Sequence, residues 1–78
     1  MTATINLLDT VAVARDVPAL NLTAGEVGAV VEVLAADAFE VEFCDEAGQT
    51  YGLHTLHADQ IIPLHMRGHA LRLRSEAA

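Results

Sequence analysis

Five residues in the middle of the chain, Phe39-Glu40-Val41-Glu42-Phe43, alternate apolar with acidic without a break. A repeat of two places successive side chains on opposite faces of an extended strand, one face against a core and one toward water. On a helix the same three apolar residues would spread around the axis and bury nothing together. The segment therefore demands a sheet that is oily inside and anionic outside. The chain has 78 residues in which to build it. A single domain of that size buries roughly 60–65% of the surface its unfolded form exposes. Cys44 is the sole cysteine, so neither an internal disulfide nor a paired-cysteine zinc can staple so thin a core. Yet 53% of the residues are apolar and the mean hydropathy is +0.35. That is more than a thin core can hide, which predicts an interface with further copies of the chain or with a partner.

Short β patterns at turn-rich intervals surround this segment and predict an all-β fold, a small barrel of about five antiparallel strands. The first strand is read over Leu8–Ala14, where Asp9, Val11 and Val13 share a face. Pro18, Asn21 and Gly25 mark Arg15–Glu26 as a long loop. Val27–Leu34 is β-branched and reads as the second strand, Phe39–Cys44 as the third and Thr50–Leu56 as the fourth. Asp45–Gln49 reads as a tight turn, with Gly48 at a position that needs a left-handed backbone. His57–Gln60 reads as one helical turn before a short last strand, Ile61–Leu64, which Pro63 confines to an edge. Gly25 suits a positive backbone angle, and Gly28 suits a bulge or a close approach of strands. The barrel is assigned to residues 1–64. Residues 65–78 form a tail, read as helix, added strand or disorder.

Register follows from parity. If Val31 and Val33 face the core with Phe39, Val41 and Phe43, a three-residue loop Ala35-Ala36-Asp37 pairs Val33 with Phe39 and Val31 with Val41. It also sets Glu32 opposite Glu40 and puts Glu42 beside Val30. Like charges directly opposite are unfavourable, so the acids either serve a partner or keep an apolar barrel soluble. On this parity Val30 and Leu34 lie outside.

Charge is uneven along the chain. There are no lysines, and residues 1–64 hold ten acids against Arg15, whereas Arg67, Arg72 and Arg74 face only Glu76 in the tail. A barrel of net −9 repels phosphate backbones and attracts a basic partner, so no nucleic acid is expected. The first residues carry neither a basic run nor a long apolar stretch, and no segment approaches the ~20 apolar residues of a membrane span. A cytoplasmic location with no membrane partner is the expectation.

The sequence carries a resemblance in Leu8-Asp9-Thr10-Val11-Ala12-Val13, Gly25-Glu26-Val27-Gly28-Ala29-Val30-Val31-Glu32-Val33, Phe39-Glu40-Val41-Glu42-Phe43, Gly48-Gln49-Thr50-Tyr51 and Ile61-Ile62-Pro63-Leu64. Over Ile5–Leu64 the chain resembles the bacterial domain-of-unknown-function family 4926. The resemblance implies an SH3-like barrel with no assigned activity. It also implies a small partner encoded beside another protein, in toxin-neutralising pairs, and it assigns no residue a role.

Chemistry is sparse. His54 and His57 are three apart and His65 and His69 four apart, and with Asp59 and Cys44 they are the only candidate metal ligands. Nothing in their spacing makes them converge, so surface histidines and no metal or cofactor are expected. Cys44 lies beside Glu42, Asp45 and Glu46, a setting that disfavours the thiolate nucleophile. Phe39, Phe43 and Tyr51 are too few to line a proline-binding groove. The reading is a non-enzymatic interaction module. Glu32, Glu40, Glu42, Asp45 and Glu46 would bind a basic protein, while Val30, Leu34 and Tyr51, or an exposed terminal strand, would support a homo-oligomer. The alternatives are an accessory subunit of an enzyme and a small-ligand or metal binder built on the histidines.

Overall fold

The computed structural model describes residues 5–64, 66–67 and 70–71. Five antiparallel strands form one sheet: β1 (Thr10–Val13), β2 (Val27–Ala35), β3 (Ala38–Cys44), β4 (Thr50–His57) and β5 (Ile61–Pro63). Their spatial order is β4-β3-β2-β1-β5. A 3-10 turn over Ala58–Gln60 precedes β5. This is the expected all-β, SH3-like arrangement, in which the last strand returns to pair with the first. Two short strands, β6 (Met66–Arg67) and β7 (Ala70–Leu71), pair with each other. Among the described residues no helix is long and apolar enough to cross a membrane.

Every strand of the sheet sends side chains inward. Val11 and Val13 of β1, Val30 of β2, Phe39, Val41 and Phe43 of β3, Leu56 of β4 and Ile61 of β5 are buried, joined by Leu22 from the long loop. Burying each such side chain is worth about 1.5–3 kcal/mol. The alternation of Phe39–Phe43 is thus realised in full on β3. Leu22 reaches the core because the loop is itself organised. Pro18–Leu20 form a 3-10 turn, and Val17 bridges to Leu22.

β2 pairs with both β1 and β3, and Gly28 lies where all three strands meet. Gly28 stands opposite Val11 on β1 and Phe43 on β3 at once. A Cβ there would lie 2.7 Å from the Glu42 carbonyl oxygen and 2.8 Å from Val41 Cγ1. Only glycine permits that approach. Gly48 takes a φ of 85° in a turn held by Asp45, whose Oδ1 accepts from the Ala47 and Gln49 amides at 2.9 Å.

The register of β2 against β3 departs from the parity argument. Glu32 opposes Glu40 and Val33 opposes Phe39 as expected, but Val30, not Val31, opposes Val41, and Ala29, not Val30, opposes Glu42. The pairing slips between Val30 and Glu32 and again between Val33 and Ala35. Each slip spends one extra residue on β2, the mark of a bulge. The first slip switches the parity of everything before it. Val30 is therefore wholly buried, which corrects its assignment to an outer self-association surface. Val31 and Val33 are 38% and 47% exposed and are not core residues. The second slip shortens the connection to the two-residue turn Ala36-Asp37.

Candidate functional site

The outer face of the barrel is assembled by rows running across the strands. One row reads Glu32, Glu40, Thr55, and the next reads Ala29, Glu42, Leu53, from β2 through β3 to β4. Alternation on β3 and the pairing of β2 put three acids on one face. The neighbours on β4 answer two of them with hydroxyls. Thr50 Oγ1 donates to Glu42 Oε2 at 2.6 Å, and Thr55 Oγ1 donates to Glu40 Oε1 at 2.8 Å. Glu32 is exposed and directly faces Glu40. Beside Glu42 the bare backbone of Gly28 and the methyl of Ala29 leave a shallow groove of about 290 Å³, bordered by Thr10, Val27 and Cys44.

The five acids singled out in the sequence do not form one set. Glu32, Glu40 and Glu42 share the outer face. Asp45 is spent on the turn, where its carboxylate holds two amides. Glu46 is exposed at the turn tip. Of the apolar residues assigned to self-association, Leu34 and Tyr51 are 46% and 52% exposed. Leu53 and Ile62, about half exposed, went unnoticed in the sequence. On β4, however, the exposure of Leu53 follows from the same alternation as that of its neighbour Glu42.

Tyr51 has a second role, with no signal in the sequence. It falls in the irregularity where Cys44 faces Thr50 and Phe43 faces Gly52. Its ring lies 6.2 Å from that of Phe43. Its hydroxyl donates to Glu26 Oε1 at 2.6 Å, linking β4 to the start of β2 across 25 residues. That bond holds the Glu26 carboxyl below its ordinary pKa, helped by the Thr23 amide, and pushes the Tyr51 hydroxyl above its own.

A polar cleft of about 580 Å³ opens where the long loop, the Ala36-Asp37 turn and the 3-10 turn meet, lined by Arg15, Asp37, His57, Asp59 and Gln60. Arg15 Nη2 pairs with Asp59 Oδ2 at 3.3 Å, both side chains well exposed, so the pair adds little stability. His57 lies opposite Ala38 on the outer side, whereas His54 lies opposite Val41 on the inner side, near the Phe43 ring. Three residues apart on a strand means opposite faces, so this pair cannot converge on one ion. His65 and His69 lie outside the described residues. Among the described residues no three His, Cys, Asp or Glu side chains are grouped to hold a metal. Cys44 is exposed, its Sγ 3.7 Å from Thr50 Oγ1.

Fold and face together define a small SH3-like barrel with an acid-lined outer sheet. The chain belongs to the family described as Domain of unknown function (DUF4926), whose family model matches residues 7–63. No curated protein and no solved structure matches it.

Proposed function

We propose that this chain is a non-enzymatic protein-interaction module that self-associates and binds a basic protein partner through the acids of its outer face. One observation carries the reading: Glu32 and Glu40 stand directly opposite each other. Such a pairing is unfavourable in the free protein, and a cationic partner would reverse that sign. Arg15, the sole arginine among residues 5–64, is engaged by Asp59 and not by the acids of the face. The same charge speaks against nucleic acid. The family resemblance makes a neutralising partner of a basic, toxin-like protein the concrete form of this reading, and the lone cysteine suits the cytoplasm.

Binding of a short arginine- and lysine-rich peptide, followed by fluorescence anisotropy, tests it with charge-matched variants. Glu32→Gln/Glu40→Gln should weaken binding roughly tenfold and flatten its salt dependence, whereas Asp37→Asn/Asp59→Asn, in the cleft, should change it little. Equal losses in both would mean that net charge alone attracts the peptide, and the face would lose its assignment.

A further inference from the structure

The sheet ends in two edges built differently. β5 has three residues, one of them Pro63, and so offers a short edge with a missing donor. β4 has eight residues, Thr50-Tyr51-Gly52-Leu53-His54-Thr55-Leu56-His57, with neither proline nor formal charge. Among the described residues no strand pairs with its outer side. Natural proteins commonly blunt such edges with lysine, proline or charge, because a bare edge is a template for another strand. Here none of those devices is present, and the outward Leu53 is 54% exposed.

We propose that two copies of the chain pair antiparallel along the outer edges of β4 and so join their two sheets into one. This deepens the self-association part of the reading above and rests on it.

A second copy is the occupant because it brings the same eight-residue uncharged strand, matched in length and polarity to the edge it meets. Copies of an acidic chain repel, and at the β2–β3 face they would bring glutamates together. Along β4 no two like charges meet in any register. With strands spaced 4.7–4.9 Å, the glutamate-bearing β3 strands of the two copies sit three spacings apart, about 14 Å. That exceeds the screening length of about 8 Å at physiological salt, so repulsion between them is weak. Antiparallel pairing of identical strands in one plane places the twofold axis perpendicular to the sheet. The outer faces of both copies then point the same way. Glu40 and Glu42 of each copy flank a central uncharged band formed by Leu53 and Thr55, a wider anionic surface than one barrel offers.

Sedimentation equilibrium of the full chain, from micromolar to millimolar concentration, should show a monomer–dimer equilibrium. Over the same range, exchange of those β4 amides that point away from β3 should slow while exchange in β5 stays unchanged. Leu53→Lys, an exposed substitution that the fold tolerates, should raise the dimer dissociation constant roughly tenfold by placing like charges across the axis. A monomer at every concentration overturns the proposal, as does a dimer that resists Leu53→Lys but is broken by Ile62→Lys on β5. In either case, persistent peptide binding at Glu32 and Glu40 would leave the acid face standing.

Discussion

Phe43 lies between two glycines, Gly28 on β2 and Gly52 on β4, and the two sides of this one row are built on different terms. On the β2 side a Cβ at Gly28 would meet the backbone carbonyl of Glu42 at 2.7 Å. On the β4 side a Cβ at Gly52 would meet the ring of His54 at 3.0 Å, the far end of a side chain that can turn aside. The acids of β3 see the same asymmetry. β4 offers Glu40 and Glu42 threonine hydroxyls, while β2 offers Glu40 another carboxylate. The barrel spends its strictest packing and its worst electrostatics along β2. β4 is the tolerant side, where change is absorbed by side chains.

Three measurements would break or sharpen that contrast. The largest effect belongs to the glycines. Gly28→Ala should cost roughly 3 kcal/mol or more in urea unfolding, because a backbone atom must move, while Gly52→Ala should stay within about 1 kcal/mol of the parent. Similar losses at both sites would erase the distinction.

Charge comes next. Glu32→Thr should stabilise the barrel by a few tenths of a kcal/mol, and Thr55→Glu, which places a second acid beside Glu40 from the other side, should destabilise it by about as much. Denaturant midpoints at low salt would reveal both, and added salt should shrink both differences.

The smallest effect concerns Tyr51. Because the folded state lowers the Glu26 pKa, the Tyr51–Glu26 bond adds stability above the unfolded carboxyl value near 4.3 and loses it as pH falls through the folded value. Raising the Tyr51 value adds stability below its unfolded value near 10, lost as pH rises through the folded one. Tyr51→Phe should therefore flatten the stability profile slightly on the acid side of pH 4.3 and the alkaline side of pH 10. Solvent exposure should keep the change to about a tenth or two of a kcal/mol. A parent-like profile in the variant would remove the bond from the energetics.

Residue type and local order alone gave the reading of β3, the Asp45–Gln49 turn, the 3-10 turn before β5 and the edge position of Pro63, because each is a local preference of the backbone or a strict alternation. Glu40 and Glu42 were legible as outward-facing for the same reason. The reading failed on β2, where Val27 through Leu34 is nearly continuous in apolar residues and contains no alternation from which a bulge could be read. Val30 and Val31 are chemically alike, so parity chose the wrong one.

Alternation in a short chain with one cysteine determined the kind of sheet, the sign of its outer face and the composition of most of its core. Tertiary structure alone decided which valine of β2 is buried, that Tyr51 reaches Glu26, that the Asp45 carboxylate is spent on the turn, and that among the described residues β4 ends the sheet opposite β5. Those outcomes depend on where strands slip and how closely they approach, and such contacts join residues far apart along the chain, beyond the reach of any local pattern.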